Sequence, residues 1–525
     1  MVCDFDVIVV GAGINGAGIA RDAAMRGLKV LLIDKSDVGG GTSAGSTRLI
    51  HGGLRYLEHF EFGLVRESLR ERETLLRIAP HLVRPLPITI PIYNRGERGR
   101  ATIRAGMIAY DLLSWGKTLP KHRIQSAAET LREMPGLNRE GLLGSAVYFD
   151  AQVEFAERLV VENVLAAVEC GATVRTYSRV VELLIEGGAV REVILEGNFR
   201  NTVRANVVIN AAGPWVDRLL DFSEQESKPL IGGTKGSHVV VAPFEGAPAR
   251  AVYLEAVSDQ RPFFVIPWNG NYLIGTTDVR FEGNPDHVCC EPWEIDYLLN
   301  ETNRAFPVAG LTRENVLYTY SGVRPLPFTT KDDEQSITRR HFIREHPQAS
   351  NLISIVGGKL TTYRGLAEDC VDLVCRKLGR RFTRIDTAHF PLPGAVDFSS
   401  LVREFREFTE PVHDRLLRVY GARAAEVAEL AKRNDELAKP FNKAQNALAA
   451  EIIFVFEREF ATTLADCFLR RTMLGLNADL GLNDIDAAAS ICKSWLGWSD
   501  ERAREEIESY RSAVSKFTPC DGYAT

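Results

Sequence analysis

The sequence has no run of about 18 apolar residues, the length that a membrane-spanning helix needs, although it is 525 residues long. Its first residues, "MVCDFDVIVVGAG", enter an apolar stretch directly and lack the basic and apolar regions of a signal peptide. These absences argue against an integral membrane protein and against a secreted one. We therefore expect a cytoplasmic protein, with a peripheral position on the cytoplasmic membrane face as the alternative.

Paired cysteines and excess positive charge are also missing. The nine cysteines are scattered without a C-x-x-C spacing, which argues against a dithiol–disulfide reductase and indicates reduced, mostly buried thiols. No metal site is predicted. The formal net charge is −6, so no basic field is available to attract nucleic acid. We therefore expect no nucleic-acid partner.

A dinucleotide-binding signature is present at the N-terminus. The apolar run "FDVIVV" predicts a buried parallel strand, and Gly11, Gly13 and Gly16 follow it as G-x-G-x-x-G. These glycines allow a tight turn, a close approach of a pyrophosphate, and close packing of helix on strand. Asp34 ends the second apolar run, where an acceptor for ribose hydroxyls is expected. Strand, turn, helix, strand and acid in this order predict a nucleotide site.

Two later elements favour FAD over NAD as the nucleotide. "VVINAAGPWV" places Gly213 after another buried strand, and it resembles the second cofactor-contacting motif of flavoproteins with two dinucleotide domains. "ISIVGGKLTTYRG" places Gly357 and Gly358 between a strand and a predicted helix. The dipole of that helix could steady negative charge on a reduced flavin. An NAD dehydrogenase has no need for this third element.

The pattern along the chain predicts an α/β + α fold: a Rossmann-like FAD-binding domain, an antiparallel-sheet substrate domain and a C-terminal helical domain. We assign residues 1–80, 151–228 and 346–390 to the FAD-binding domain, 81–150 to a substrate or cap segment, 229–345 to the β-rich substrate domain, and 391–525 to the helical domain.

The stretch "KSDVGGGTSAGSTRLIHGGLRY" (Lys35–Tyr56) has the composition of a linker, but its position after Asp34 indicates a cofactor loop. Its small residues leave backbone N–H groups and hydroxyls free to lie against the cofactor. The glycines near its end can turn Arg55 and Tyr56 towards a substrate. A loop packed into a cavity wall would support this interpretation, and a free one would contradict it.

Several motifs together resemble FAD-dependent (aerobic-type) glycerol-3-phosphate dehydrogenases. They are "VVGAGINGAGIARDAAMRGLKVLLIDKSD", "GTSAGSTRLIHGGLRYLEHFEFGLVRE", "NAAGPWVD", "KGSHVVV", "VIPWNGNYLIGTTD", "YSGVRPL" and "VGGKLTTYRGLAE", in order along the first 370 residues. The resemblance implies oxidation of sn-glycerol 3-phosphate to dihydroxyacetone phosphate by hydride transfer to flavin N5, with electrons passed to a membrane quinone. It also implies a peripheral membrane homodimer.

The resemblance implies a set of site residues as well. The substrate would be surrounded by Arg55, Tyr56, Arg339 and Thr361, with His238, Arg324 and Lys359 in the catalytic role. The cofactor would be bound by Gly11, Gly13, Gly16, Asp34, Thr42, Ser43, Ser46, His51, Gly52, Gly213, Gly357, Gly358 and Leu360. Guanidinium and ammonium groups suit the phosphate, and a histidine suits the hydroxyl proton at neutral pH.

Structural alternatives stay open for some of these residues. A single histidine beside a β-branched strand is more often structural, and only the "KGSH" match favours His238 as the base. His51 fits a flavin contact and a backbone-bonded turn equally well. Arg339, taken alone, fits an ordinary surface position as well. Lys359, predicted in the first turn of a helix, opposes the helix dipole and so indicates an anionic partner.

A basic, apolar segment spans residues 95–123, "RGERGRATIRAGMIAYDLLSWGKTLPKHR". It fits an amphipathic helix on an anionic membrane, and it fits a helix packed on the core about equally well. Three alternatives to the quinone-linked dehydrogenase also remain: a glycerol-3-phosphate oxidase that uses O₂, an amino-acid-oxidase-type flavoenzyme, and a flavin-binding sensor without turnover.

Overall fold

A computed structural model of the chain describes residues 3–58, 60–94, 99–220, 229–329, 338–380, 385–395, 408–442 and 444–518. Up to residue 220 the strands are β1 (Phe5–Val10), β2 (Val30–Ile33), β3 (Leu49–Ile50), β4 (Val83–Tyr93), β5 (Arg123–Ser126), β6 (Leu142–Val153), β7 (Thr173–Arg175), β8 (Ser178–Glu186), β9 (Ala189–Gly197), β10 (Asn201–Val203) and β11 (Ala205–Asn210). The later strands are β12 (Thr234–Val241), β13 (Ala251–Glu255), β14 (Pro262–Trp268), β15 (Asn271–Gly275), β16 (Val279–Arg280), β17 (Val316–Arg324), β18 (Phe342–His346), β19 (Ala349–Val356), β20 (Pro440–Asn442) and β21 (Ala447–Leu448).

The helices begin with α1 (Ile14–Met25), α2 (Phe62–Ile78), α3 (Arg100–Leu113), α4 (Ala127–Glu133), α5 (Ala156–Glu169), α6 (Val216–Leu220), α7 (Pro292–Ala305) and α8 (Tyr363–Leu378). The C-terminal ones are α9 (Glu410–Tyr420), α10 (Ala424–Ala431), α11 (Ala449–Arg458), α12 (Leu464–Asp466), α13 (Ile485–Leu496) and α14 (Asp500–Ser515). No helix in these described ranges is both long and apolar enough to cross a bilayer.

The nucleotide-binding part is built on a six-stranded sheet in the order β18-β19-β11-β1-β2-β7. Its strands run parallel except β18, which pairs antiparallel with β19. All four residues of β2 and the last four of β1 are buried, because α1, α5 and α8 cover one face of the sheet and β8, β9 and α6 cover the other. Burial on both faces explains the continuous apolar runs in the sequence.

The G-x-G-x-x-G turn connects β1 to α1 by close backbone packing. Gly11 has φ of +105°, a left-handed conformation that favours glycine. A Cβ on Gly16 would lie 1.8 Å from the Gly11 carbonyl oxygen, so only a glycine lets α1 approach the strand this closely. The third glycine therefore has the packing role that the sequence predicts for it.

The second large sheet has ten strands, in the order β16-β12-β15-β14-β13-β4-β6-β3, with β17 beside β12 and β5 beside β6. Its pairs are antiparallel except β4 with β13. Residues 81–150 and 229–345 share this sheet, whereas β18, at the end of the second range, joins the six-stranded sheet. The division of the chain into six segments stays a prediction.

The C-terminal helices pack on the nucleotide-binding part through buried ion pairs. Glu459 accepts hydrogen bonds from Arg158 of α5, at 2.5 and 3.0 Å, and from Arg423. Arg471 donates to both carboxylate oxygens of Asp37, at 2.8 and 2.9 Å. These pairs fix the helical domain beside the loop that follows β2.

The cysteines depart in one respect from the sequence interpretation. Cys289 is disulfide-bonded, so the expectation of reduced thiols is wrong for this residue, because the spacing of cysteines along the chain does not reveal which of them pair. The other seven cysteines of the described residues are free, and Cys290, Cys370, Cys467 and Cys492 are buried.

Candidate active site

A cavity of about 750 Å³ lies where the two large sheets and the C-terminal helices meet. Most of the predicted site residues line it: Gly11, Gly13, Asp34, Thr42, Ser43, Ser46, His51, Arg55, Tyr56, Gly213, His238, Arg324, Arg339, Gly358, Lys359, Leu360 and Thr361. Its volume is in the upper part of the range that ligand sites have. The structure thus brings the two predicted groups, for cofactor and for substrate, into one cavity.

Three of the predicted cofactor residues lie behind the cavity wall. Gly16 packs α1 on β1, and the N–H of Gly52 donates to the Tyr110 hydroxyl at 2.9 Å. Gly357 has φ of +79° and lies against the carbonyl oxygen of Arg340. Each holds a wall element in place, and direct contact with the cofactor stays a prediction for them.

The nucleotide end of the cavity is held by backbone groups at the start of α1. Ala12 N donates to Asp34 Oδ2 at 2.6 Å, and Ile14 N donates to Ser43 Oγ at 3.0 Å. Burial raises the pKa of Asp34, and its hydrogen bonds from Ala12 and Ser36 oppose that rise. Asp34 therefore ties β2 to the glycine turn while it lines the cavity.

Two polar atoms at this end are buried and have no hydrogen-bond partner among the described residues. They are Oδ1 of Asn15 and Nε1 of Trp215, and both residues line the cavity. Buried polar atoms are nearly always satisfied, so an orphan acceptor and an orphan donor in one cavity indicate a polar ligand. Together with the glycine turn at a helix N-terminus, they fit a dinucleotide cofactor.

The stretch Lys35–Tyr56 is packed against the second sheet. Thr42 Oγ1 donates to the carbonyl oxygen of Val323 at 2.6 Å. A Cβ on Gly45 would lie 2.8 Å from the Cα of Gly322, so loop and strand are in backbone contact. The stretch is therefore a fixed wall of the cavity and not a linker.

Two of the predicted arginines share one carboxylate. Arg324 Nη1 donates to Asp278 Oδ1 at 2.9 Å, and Arg339 Nη2 donates to Asp278 Oδ2 at 3.0 Å. Burial would raise the pKa of Asp278, but the two guanidinium groups hold it below its usual range. Burial lowers the pKa of Arg324. Arg339 Nη1 is buried and has no partner among the described residues, so it is available to an anion.

Lys359 adds a third cation to this side of the cavity. It lies in the turn before α8, which begins at Tyr363, so its predicted place in the first helical turn is wrong. Gly357 and Gly358 both have left-handed backbone conformations, so the non-helical segment continues past Lys359 before α8 begins. Lys359 Nζ stands 3.8 Å from the ring centroid of Tyr56, and burial lowers the pKa of this lysine.

The backbone of His51 connects the cofactor loop to a distant segment of the chain. The His51 N–H donates to Thr361 Oγ1 at 3.1 Å, which joins the loop to the segment before α8. Burial lowers the pKa of the His51 imidazole to about 4, so the ring is neutral near pH 7. His51 also lines the cavity, so a contact of its ring with the cofactor stays a prediction.

His238 is stacked on an aromatic ring in the cavity wall. Its centroid lies 4.7 Å from that of Tyr320, and its Nε2 is 2.9 Å from Thr47 Oγ1. Burial, with help from Arg324 and Arg48, keeps the pKa of His238 well below its usual range. Nδ1 is buried and has no partner among the described residues. The ring is therefore neutral, and no protein group of the described residues occupies Nδ1.

Sequence reasoning did not assign several further wall residues: Arg48, Asp278, Arg470, Lys516 and Phe517. Asp278 lies within the quoted motif "NYLIGTTD", so the motif carried a signal for it. The last three come from the C-terminal domain, where no local motif marks them. Phe517 is fixed there because its carbonyl oxygen accepts the N–H of Thr319 at 2.7 Å.

Comparison with known proteins agrees with this geometry. Residues 6–373 match the model of the FAD dependent oxidoreductase family, and residues 385–503 match the C-terminal domain of alpha-glycerophosphate oxidase. A glycerol-3-phosphate dehydrogenase of Synechocystis sp. is 46% identical over 98% of this chain and 96% of its own length. The chain belongs to the FAD-dependent glycerol-3-phosphate dehydrogenase family.

Two further similarities define the family relationship. A D-erythritol 1-phosphate dehydrogenase of Brucella abortus is 38% identical over 89% of this chain and 94% of its own length. The crystal structure of the glycerol-3-phosphate dehydrogenase from Bacillus halodurans, complexed with FAD, superposes with a TM-score of 0.80 at 28% identity, covering 98% of this chain and 95% of the other. The predicted family, fold class, enzyme class and FAD cofactor are confirmed.

Proposed function

We propose that the protein oxidises sn-glycerol 3-phosphate to dihydroxyacetone phosphate in this cavity and passes the electrons to a membrane quinone. The observation that carries the proposal is the set of cations Arg55, Arg324, Arg339 and Lys359 in the same cavity as the dinucleotide turn. A phosphate dianion needs several such groups, since guanidinium pairs with its oxygens and ammonium adds a point charge. Bound FAD supplies the two-electron oxidising chemistry.

The residues of this chain divide the remaining work between binding and proton transfer. Arg339 and Lys359 bind the phosphate, since neither has its charge fully paired within the described residues. His238 takes the proton of the reacting hydroxyl at Nδ1. Arg324 stabilises the negative charge that develops on the hydroxyl oxygen. Tyr56, stacked under Lys359, closes the substrate side against water.

Anaerobic bleaching of the flavin absorption band tests this function. We expect glycerol 3-phosphate to bleach the band and glycerol at the same concentration to leave it unchanged, because glycerol lacks the phosphate group that the cations bind. A series of phosphorylated and free polyols then defines the accepted chain length, a question that the erythritol-phosphate relative raises. A band that no phosphorylated polyol bleaches would refute the proposal and leave a non-catalytic flavin protein.

Oxygen as the electron acceptor is the second candidate, and one observation favours it: the C-terminal residues match the domain of an alpha-glycerophosphate oxidase. Stopped-flow reoxidation of the reduced enzyme separates the two. Faster reoxidation by a soluble quinone analogue than by air-saturated buffer supports the dehydrogenase, and the reverse order supports the oxidase. Light scattering coupled to gel filtration tests the predicted homodimer.

Contact with a membrane surface is part of the same proposal. One face of α3 packs in the core through Met107 and Tyr110, while Ile108, Leu112 and Trp115 are 45%, 61% and 88% exposed. Core packing and membrane contact, the two predicted roles of the segment, thus both have support, on opposite faces. Residues 95–98 of the segment lie outside the described residues. Apolar side chains beside basic ones can enter the headgroup region of an anionic bilayer.

Co-sedimentation with anionic vesicles tests the membrane proposal. The double substitution Leu112→Gln with Trp115→Gln should weaken vesicle binding, since it removes the most exposed apolar groups of this face. Trp293→Gln is the matched control, because Trp293 is another exposed tryptophan and lies on α7. Equal vesicle binding by wild type and the double variant would refute the contact.

A further inference from the structure

Asp278 occupies the position between the two arginines that the proposed reaction uses. It follows β15 and precedes β16, and each of its carboxylate oxygens accepts from one guanidinium group, at 2.9 Å from Arg324 and 3.0 Å from Arg339. We propose that Asp278 is a positioning residue, which orients both guanidinium groups for the substrate anion. The inference rests on the proposed function and adds a residue to it.

The contacts of the two arginines differ in a way that supports this role. Arg324 is held on both sides, because its Nη2 also donates to Thr276 Oγ1 at 3.1 Å and to the Thr277 carbonyl at 3.3 Å. Arg339 donates to Asp278 through Nη2, and its buried Nη1 is unpaired within the described residues. The carboxylate therefore holds Arg339 at Nη2 and leaves Nη1 of that group for a ligand.

The charge balance of the cluster leads to a specific expectation. Two guanidinium groups and one carboxylate leave a net charge of about +1 at neutral pH. Removing the carboxylate makes the cavity more attractive to anions but lets the two like charges separate. The two guanidinium groups therefore lose their orientation, while the cavity keeps its electrostatic attraction for the substrate anion. Small errors in orientation slow a reaction strongly, since about 1 Å of misplacement costs about 100-fold in rate.

The substitution Asp278→Asn separates orientation from attraction, because asparagine keeps the shape and removes the charge. We expect kcat with glycerol 3-phosphate to fall about 10- to 100-fold, with KM unchanged or lower. The dissociation constant of inorganic phosphate, measured through the flavin absorption spectrum and by calorimetry, should not rise. FAD content and melting temperature should stay close to wild type.

Asp296→Asn is the matched control, since Asp296 pairs with Arg313 on an exposed face of α7 and lies outside the cavity wall. It should leave kcat and KM unchanged. An Asp278→Asn enzyme with wild-type kcat would overturn the inference. So would a variant in which KM and the phosphate dissociation constant rise while kcat stays, because attraction would then be the role of the carboxylate.

One further measurement and one further variant complete the test. Bleaching of the wild-type flavin by glycerol 3-phosphate tests the proposed function itself, so a failure there is distinct from a failure at Asp278. If Asp278→Asn loses FAD or does not fold, Arg339→Lys replaces it. Lysine keeps the charge but cannot hold Asp278 and a substrate at once in fixed geometry. We expect a lower kcat with a nearly unchanged KM, and wild-type kcat would overturn the inference.

Discussion

Replacing Glu459 by glutamine tests how the C-terminal domain is held on the FAD-binding part. Glu459 is buried and accepts hydrogen bonds from Arg158 of α5 and from Arg423. Burial would raise the pKa of this carboxyl, but the two arginines lower it from 4.5 to about 2. Since each pKa unit corresponds to about 1.4 kcal/mol, the charged form of Glu459 stabilises the fold by about 3 kcal/mol.

The pH dependence has a definite sign. A carboxyl whose pKa is lower in the folded protein stabilises the fold fully above its unfolded pKa, here about 4.5. That contribution is lost as the pH falls towards about 2. Glu459→Gln should therefore lower the free energy of unfolding by about 3 kcal/mol at pH 7, because it leaves two buried arginines without their carboxylate. The difference from wild type should shrink below pH 4.5.

Urea unfolding, followed by tryptophan fluorescence at pH 7 and at pH 4, measures this difference. Glu426→Gln is the matched control, because Glu426 also pairs with Arg423, at 3.1 Å, but is half exposed. Exposed pairs contribute less than about 1 kcal/mol, so the control should unfold almost as wild type does. Equal stability of the Glu459 variant and wild type at pH 7, or a difference that does not depend on pH, would refute the reasoning.

Two other changes have clear expected results. Gly16→Ala should reduce FAD content strongly, because its Cβ would lie 1.8 Å from the Gly11 carbonyl oxygen. Gly106→Ala in α3 is the control, because no atom of the described residues lies within 4 Å of the added Cβ. This control should leave FAD content unchanged, and its effect on the stability of the fold should be neutral or favourable. The pH profile of kcat at saturating substrate should show no acid limb near 6.5, the ordinary pKa of histidine, because burial lowers the pKa of His238 and keeps its base form present below that pH. An acid limb near 6.5 that disappears in His238→Asn would contradict this.

The parts of the fold that follow from local sequence were predictable. Continuous apolar runs gave β1 and β11 because both faces of those strands are covered. The hairpin at Gly187 and Gly188 is present because both glycines adopt positive φ between β8 and β9. The glycine turns at the cofactor end of the cavity were predictable for the same reason, because a left-handed backbone favours glycine and is therefore visible in the sequence.

The parts that depend on contacts far apart in the chain were not predictable. Asp278 and Arg339 are 61 positions apart and meet where the segment between β15 and β16 of the ten-stranded sheet approaches the segment before β18 of the six-stranded sheet. Phe517 enters the cavity wall through a contact with Thr319 across nearly 200 positions. The sharing of one sheet by residues 81–150 and 229–345 has the same origin, because strand order is not encoded in the pattern of any single strand.

The two cations proposed to bind the phosphate differ in their pairing from two buried arginines that hold the fold together. Arg48 is buried and bonded to both oxygens of Glu157, at 2.7 and 2.8 Å, and Arg158 is paired with Glu459 in the same way. Each of those charges is matched by a buried carboxylate and holds parts of the protein together, although Nε of both arginines is buried without a hydrogen-bond partner among the described residues. Lys359 has no carboxylate partner among the described residues, and Arg339 keeps an unpaired buried Nη1. A buried cation without a full partner is costly unless a ligand completes it. Arg339 and Lys359 line the same cavity, which supports the proposal that the substrate phosphate binds there.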